Sequence, residues 1–308
     1  MGNPVTAFLG SGADPTFRHT VSAMAQRGVE GDIIDLGHLI LAGELELPLD
    51  GTPGTVELAG RTFTLDVPVV ARLIDISGAA PSTALANRAR AIQACLARYL
   101  RCLPWERVVG APWDNSNFSK AYQLSLAFDR AWSVPRTCTT SDPDAAKAFV
   151  GSCNAIYKGA SSSKTWARAF GPEDVSRLPL LAGSPVLFQE RISGFDVRVH
   201  VVGDQVFGEA AHATECDYRT DRSASFEPIT VPQDIAADCV DMTRIMRLVL
   251  SGIDFKVSAE GQWYFLEANS SPCYQGYDRR AGGAISDSLA RQLGAVNQAG
   301  RGRNVPTQ

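Results

Sequence analysis

The chain has 308 residues, of which 45% are hydrophobic and 20% are charged, with 29 Lys and Arg against 33 Asp and Glu. This length and composition indicate a folded protein of about two domains and exclude a disordered or fibrous chain. The formal net charge of −4, without a run of basic residues, argues against nucleic acid as a partner. No apolar stretch approaches the roughly 18 residues that span a bilayer, so no membrane partner is expected.

The first third of the chain predicts an α/β domain. Residues 5–10 form an apolar run that enters a Gly-Ser-Gly turn, residues 20–26 favour a helix, and 32–36 and 69–76 favour further strands. Apolar residues then recur at helical spacing between 85 and 103, with arginines on the opposite face, which predicts an amphipathic helix.

Beyond residue 104 the pattern predicts a mixture of helices and strands. Helices are expected at 119–131 and 143–150, and strands at 155–158, 186–192, 197–202 and 205–210. A long helix is expected at 232–250, followed by two strands at 253–257 and 263–268 and a final helix at 285–293. The seven cysteines are scattered without a Cys-x-x-Cys pair, which favours a reduced, cytoplasmic protein without a zinc site.

The last two predicted strands carry oxygen-bearing side chains. Because side chains alternate faces along a strand, Phe265, Glu267 and Asn269 should share one face, and a short hairpin can bring Asp254 opposite Glu267. Two carboxylates and an amide suit a hard cation such as Mg²⁺, with phosphate oxygens completing its coordination. The alternative is a solvent-facing strand end, but acidic groups that end an apolar strand usually have partners.

Two lysines and one inter-strand segment suit a nucleotide. Lys120 opens a predicted helix, and Lys158 ends a strand that is followed by a small-residue loop able to offer backbone N–H groups to phosphate. That loop lacks the spacing of a P-loop, and either lysine taken alone is better explained as a surface residue. Residues 189–192 end one apolar strand and Asp196 begins the next, so a strand edge could meet adenine and a carboxylate could hold ribose.

The order of these segments resembles the ATP-grasp superfamily, in its branch of ribosomal-protein-S6 modification enzymes and glutathione-synthetase-like enzymes. The segments are Ser-Lys at 119–120, Tyr-Lys-Gly at 157–159, Gln-Glu at 189–190, Gly-Phe-Asp-Val-Arg-Val at 194–199, Asp-Tyr-Arg at 217–219, Gly-Ile-Asp at 252–254 and Glu-Ala-Asn-Ser-Ser-Pro at 267–272. The resemblance implies an α/β (α+β) ATP-grasp fold. An N-terminal Rossmann-like α/β domain would occupy 1–112, a central α+β lid 113–190, a C-terminal α+β subdomain with the metal site 191–298, and a tail 299–308.

The resemblance also implies ATP and two Mg²⁺ ions as cofactors, and a role for each matching residue. The nucleotide would be held by Lys120 and Lys158 at the α- and β-phosphates, Ser161, Ser162 and Ser163 in the closing loop, Gln189, Glu190, Arg191 and Ile192 at adenine, Asp196 at ribose and Arg219 at the γ-phosphate. The metal ligands would be Asp254, Glu267 and Asn269. Arg198, with Arg279 and Arg280, would face the substrate carboxylate, and Arg198 and Arg219 would be catalytic. One departure is that the loop at 160–163 is serine-rich rather than glycine-rich, so phosphate closure can differ.

The activity implied is that of an ATP-dependent carboxylate–amine ligase that passes through an acylphosphate. No basic groove or appended domain for a peptide leader is visible, so we expect a small amino-acid-like substrate. Ring closure within one small molecule, as D-cycloserine synthetase performs in antibiotic biosynthesis, is one form of this expectation. The alternatives are modification of a ribosomal peptide or protein tail, a kinase-like enzyme that stops at phosphoryl transfer, and a non-catalytic nucleotide-binding module. The last is disfavoured because no metal ligand is lost, and homo-oligomerisation is left open.

Overall fold

A computed structural model of the chain describes residues 6–38, 44–47, 54–58, 60–110, 119–160, 167–214, 218–219 and 221–301, the last five of them without side chains. Within these residues the strands form four sheets. No helix in the described ranges combines the length and apolar character needed to cross a membrane.

The N-terminal part is a parallel sheet in the order β2-β1-β6-β7, as the expected Rossmann-like domain requires. Its strands are β1 (Thr6–Gly10), β2 (Gly31–Asp35), β6 (Val69–Ala71) and β7 (Val108–Val109). Helix α1 (Pro15–Gln26) connects β1 to β2, and α2 (Thr83–Leu100) lies between β6 and β7. A small antiparallel sheet joins β3 (Leu45–Glu46), β4 (Thr55–Leu58) and β5 (Arg61–Thr64). Helix α1 starts earlier than the apolar pattern predicts because Asp14 caps its N-terminus and Pro15 occupies the first turn.

The central part is an antiparallel sheet in the order β10-β9-β11-β8. Its strands are β8 (Thr137–Thr140), β9 (Ala155–Gly159), β10 (Arg168–Ala169) and β11 (Val186–Glu190). Helix α4 (Pro143–Val150) and 3₁₀ turns over Pro172–Gly183 cover one face. This part has a small core of its own, formed by Ala146, Leu178, Leu181 and Phe188.

The C-terminal part is a five-stranded antiparallel sheet in the order β14-β13-β12-β15-β16. Its strands are β12 (Phe195–Val202), β13 (Gln205–His212), β14 (Ser225–Ile229), β15 (Leu250–Val257) and β16 (Trp263–Asn269). Helices α3 (Lys120–Asp129) and α5 (Gln233–Ile245) bury residues against one face of this sheet, and α6 (Gln275–Arg280) and α7 (Ala284–Arg301) follow it.

Two further differences from the sequence prediction have local causes. The helix expected at 232–250 ends at Ile245, because Arg247 has a positive φ of 55° and residue 250 already begins β15. Strand β14 escapes a pattern-based prediction because it contains Pro228, which an edge strand tolerates.

The N-terminal and C-terminal parts share one hydrophobic core. Phe8, Phe17 and Met24 belong to the same buried cluster as Tyr274 and Leu289. The clefts between the sheets are therefore bounded by a continuous body on one side and by the separately packed central sheet on the other.

Candidate active site

The face of the C-terminal sheet that is turned away from α3 and α5 carries polar side chains in three cross-strand rows. The antiparallel registers place these residues side by side, and residues so paired project from the same face of a sheet. The first row is Asp196 and Lys256, the second is Arg198, Asp254 and Glu267, and the third is His200, Gly252 and Asn269. The prediction that Asp254 lies opposite Glu267 is confirmed.

A β-bulge corrects one detail of that prediction. The register shifts at Leu266, so that Phe255 pairs with Phe265 while Asp254 pairs with Glu267. The extra residue reverses the alternation. Phe265 therefore enters the core with Phe255, whereas Glu267 and Asn269 face the cleft.

The second row is a line of directly bonded charges. Arg198 donates to both carboxylate oxygens of Asp254, from Nε at 2.5 Å and from Nη2 at 2.9 Å. Glu267 Oε2 accepts from Lys120 Nζ at 2.6 Å and lies 3.8 Å from Lys158 Nζ. Lys120 comes from the first turn of α3 and Lys158 from β9, so two further elements meet the C-terminal sheet at this row.

The side chain of Gln123 fixes α3 against the strand that carries Glu267. Its amide is buried and makes a reciprocal pair with the backbone of Ala268, donating to the carbonyl at 2.9 Å and accepting from the N–H at 3.0 Å. Lys120 lies one helical turn before Gln123, so this pair holds the lysine beside Glu267.

Burial and neighbouring charge shift the ionisation of this row in opposite directions. Burial raises the pKa of Asp254 despite the attraction of Arg198. Burial also acts to raise the pKa of Glu267. The positive charges of Lys120 and Lys158 have the larger effect, and they hold the pKa of that carboxyl below its usual value. The pKa of Lys158 is lowered by burial and by Lys120. Groups forced into such a compact, desolvated arrangement are typical of a functional site.

A cavity of about 220 Å³ adjoins the first row, between the central and C-terminal sheets. Ile156 and Leu266 line the cavity. Ile156 lies two residues before Lys158 on β9, and Leu266 immediately precedes Glu267 on β16. The cavity lining also includes the four residues expected to meet adenine, which form the hinge segment 189–192, and the two residues of the first row, namely Gln189, Glu190, Arg191, Ile192, Asp196 and Lys256. The cavity therefore lies against the first row, which is adjacent to the second row on the same sheet face.

The comparisons with known proteins agree with this geometry. Residues 184–293 match the model of the RimK-like ATP-grasp domain. The solved ATP-grasp ligase PsnB, complexed with a minimal precursor, is 26% identical, with 94% of this chain and 100% of that chain covered and a TM-score of 0.75. Residues 184–293 therefore form a RimK-like ATP-grasp domain, and the chain as a whole has the fold of a solved ATP-grasp ligase.

Two further solved structures share the fold of this ligase. A RiPP-associated ATP-grasp ligase of Chryseobacterium gregarium, in complex with ADP and a leader and core peptide, is 21% identical over 95% of this chain and 96% of that chain, with a TM-score of 0.75. The macrocyclase MdnC of Microcystis aeruginosa, bound with precursor peptide MdnA, is 19% identical over 94% of this chain and 98% of that chain, with a TM-score of 0.74. No protein with a curated description matches the sequence.

The cofactors of the ligase are ATP and Mg²⁺, and the side chains of the second and third rows fit the metal. Asn269 Nδ2 donates to Asp254 Oδ2 at 3.1 Å and to Glu267 Oε1 at 3.4 Å, so both carboxylates lie within hydrogen-bond distance of one amide group. The described residues contain no group of three or more His, Cys, Asp or Glu arranged for a metal. A set of two carboxylates and an amide is what Mg²⁺ uses when nucleotide phosphates complete its octahedron.

The hinge residues have partners that limit how they can meet a base. The backbone N–H of Arg191 donates to Asn154 O at 2.8 Å, and that of Glu190 donates to Arg136 O at 2.8 Å. The Gln189 amide donates to Thr137 Oγ1 at 3.0 Å. Asp196 pairs with Lys256 Nζ at 3.1 Å. The backbone at Ile192 is thus the part of this segment from which we expect the contact with adenine.

The three arginines expected at the substrate end have different surroundings. Arg198 and Arg280 each have a carboxylate partner: Arg198 donates to both oxygens of Asp254 in the second row, and Arg280 donates to both oxygens of Glu209 at 2.9 and 2.6 Å. Arg279 is exposed, next to it on α6. Arg219 lies close enough for its charge to act on Asp254 and Lys158. Residues 161–163 lie outside the described residues.

Sequence reasoning missed an aromatic group beside Arg198. Tyr277 lies 5.8 Å from the Arg198 guanidinium, measured to the ring centre, and its hydroxyl is 2.8 Å from that of Tyr218. The ring of Tyr277 also contacts the ring of His200. Burial, and to a lesser degree the charge of Arg198, lowers the pKa of His200 far below its usual value, so this histidine is neutral. Lys256 was given no role either, although the alternation of side chains places it on the same strand face as Asp254.

Proposed function

We propose that the ligase modifies a precursor peptide, joining a side-chain or terminal carboxylate of the peptide to an amine through an acylphosphate. The second row carries the chemical part of this proposal. It places two metal-type carboxylates among the cations Lys120, Lys158 and Arg198, next to a cavity of the kind that a nucleoside needs.

The chemistry follows from charge. A carboxylate oxygen attacks the γ-phosphorus of ATP, the bond to ADP breaks, and the amine then attacks the acyl carbon, releasing phosphate and a proton. Like-charge repulsion opposes the first step, and Lys120, Lys158 and Arg219 would neutralise the phosphates while bound Mg²⁺ supplies further positive charge. Arg198 would orient the substrate carboxylate. No protein nucleophile is needed, but water must be excluded because acylphosphates hydrolyse.

The substrate class rests on the comparisons. Solved structures show PsnB complexed with a minimal precursor and with precursor peptide PsnA2. The similarity between PsnB and this chain extends over nearly the whole length of both. A ligase of this size therefore needs no appended domain to hold a peptide, which removes the argument for a small substrate. No comparison supports ring closure of the D-cycloserine kind.

The remaining site roles follow from placement. Gln189, Glu190 and Ile192 would bound the adenine, and Asp196 would meet the ribose while Lys256 balances its charge. The two carboxylates and Asn269 would hold two Mg²⁺ ions with the phosphates. Arg280 is held by Glu209 in the same two-point way in which Arg198 is held by Asp254, and it would lie at the substrate end of the site. The segment 113–190, which contains the separately packed central sheet, would act as the lid.

The test is an ADP-release assay with mass analysis. Synthetic peptides with Asp or Glu and Lys side chains, and free amino acids, are each incubated with ATP and Mg²⁺. We expect ADP release that requires a peptide, with one water lost from the peptide for each bond formed. Mild base separates an amide from an ester. ADP release with free amino acids alone would replace the peptide by a small substrate, and a stable phosphorylated product without any amine requirement would identify a kinase-like enzyme.

A further inference from the structure

Arg72, at the C-terminal end of β6, reaches from the N-terminal sheet to the loop that follows β16. The residue is only 8% exposed. Its Nη1 donates to the carbonyl of Ser271 at 2.5 Å and to the hydroxyl of the same residue at 2.9 Å, and its Nη2 lies 3.1 Å from Cys273 Sγ. A single guanidinium therefore binds the loop at two residues.

The other side of the guanidinium is held by Asp14. Arg72 Nε and Nη2 lie 3.3 and 3.4 Å from the two oxygens of that carboxylate. Asp14 is itself fixed, because Oδ1 accepts the backbone N–H of Phe17 at 2.7 Å as the cap of α1. The Arg72 guanidinium is thus anchored to the N-terminus of α1, and the Asp14 carboxylate balances its charge.

The loop that Arg72 binds, residues 270–273, lies next to the second row, which is also called the charged row below. It begins directly after Asn269, whose amide contacts Asp254 and Glu267. Its Pro272 lies over Gly252, where a Cβ atom would be 2.7 Å from the Pro272 Cβ and 2.6 Å from Arg198 Nη1. Displacement of this loop would therefore move Asn269 and open the packing of Pro272 over Gly252, the residue that also adjoins Arg198 Nη1.

We propose that Arg72 is a positioning residue that sets the geometry of Asn269 and Arg198 through the loop at 270–273. It acts without touching nucleotide or substrate, so the N-terminal sheet is part of the catalytic apparatus as well as of the fold. This inference rests on the proposed ligase chemistry for its activity readout, but its binding readout is independent of the substrate.

The chain offers a matched control in Arg27. This arginine also joins the N-terminal part to the C-terminal part, donating to the carbonyl of Gly283 at 2.9 Å and to Asp287 at 2.7 Å. Its partners lie at the start of α7, away from the charged row. Loss of either arginine removes a bridge of the same kind, but only Arg72 holds the loop beside the site.

The experiment compares Arg72→Met and Arg72→Lys with Arg27→Met at equal folded fraction. Removal of a residue that orients site ligands typically costs about 10–100-fold in metal affinity or activity. We expect kcat for ADP release to fall by about 10–100-fold in the Arg72 variants and to stay near wild type in Arg27→Met. Calorimetry should show weaker ADP binding at saturating Mg²⁺ in the Arg72 variants, with unchanged ADP binding when Mg²⁺ is absent.

Asp14→Asn provides a milder variant if Arg72→Met fails to fold. Asparagine keeps the helix cap but removes the charge that holds Arg72, so a smaller loss in the same direction is expected. Equal effects of Arg72→Met and Arg27→Met on kcat and on Mg²⁺-dependent ADP affinity would overturn the inference. If wild-type enzyme releases no ADP with any peptide, the proposed function fails, while the calorimetric comparison still decides the role of Arg72.

Discussion

Gly252 occupies the centre of the third row, and its replacement by alanine tests whether the placement of Arg198 matters. The backbone there is not in the left-handed region, so alanine introduces no conformational strain. The added methyl group would lie 2.6 Å from Arg198 Nη1 and 2.7 Å from Pro272 Cβ. Ordinary contacts begin near 3.4 Å, so the two neighbours must retreat by about 0.8 and 0.7 Å.

The size of the effect follows from these displacements. Overfilling a packed site costs about 1–3 kcal/mol of folding free energy. A shift of nearly 1 Å in a group that orients substrate can cost on the order of 100-fold in rate. The two-point contact between Arg198 and Asp254 allows little adjustment, because both carboxylate oxygens are already bonded. We therefore expect Gly252→Ala to lower kcat by about 100-fold and the free energy of unfolding by about 1–3 kcal/mol.

A second strand glycine separates these two effects. At Gly208 on β13, a Cβ would lie 2.5 Å from Val231 Cγ2 and 3.0 Å from Ile229 O, which is comparable crowding against groups outside the charged row. Gly208→Ala should lose similar stability in urea titration and keep kcat for ADP release. If Gly252→Ala retains a kcat like that of Gly208→Ala, the position of Arg198 does not control the reaction and the argument from the second row is wrong.

Three further predictions follow from the site and the shared core. Glu267→Gln keeps the shape of the side chain but removes a charge proposed to hold metal, so it should retain the near-UV circular dichroism spectrum and lose ADP release by about 100-fold or more; wild-type-like release would reject the metal assignment. Lys158→Ala should weaken ATP binding measured by calorimetry, and an unchanged affinity would count against a phosphate contact. Burial raises the pKa of Tyr274 to about 12, above the value of about 10 in an unfolded chain, so the neutral phenol stabilises the fold and this stabilisation disappears as the pH rises from about 10 to 12. Urea titrations over that range should show a loss of up to about 3 kcal/mol that is absent in Tyr274→Phe, and equal pH dependence of both proteins would contradict it.

The fold was predictable where local patterns act alone. The apolar run of β1, the helical spacing in α2 and the paired C-terminal strands were recognisable because periodicity reports which face is buried. The end of α5 and the presence of β14 were not, since a positive φ at Arg247 and a proline in an edge strand depend on what packs beside them. The bulge at Leu266 likewise leaves no periodic signal.

The candidate site was predictable to a similar degree. Motif order identified Lys120, Lys158 and the metal-type side chains, and the structure brings them together. It did not indicate that Arg280 is paired with Glu209, because these two residues are 71 positions apart. Nor did it assign Tyr277 or Lys256, whose importance lies in the side chains they contact.

The amino-acid sequence alone specifies which side chains each strand carries and in what order, because alternation and spacing are properties of the local backbone. Which charges become neighbours depends on how distant segments pack. Arg72 contacts Ser271 across 199 positions, and Lys120 contacts Glu267 across 147. Such pairs form because separate sheets and helices are packed around common cores, and no local rule of chain geometry specifies that packing.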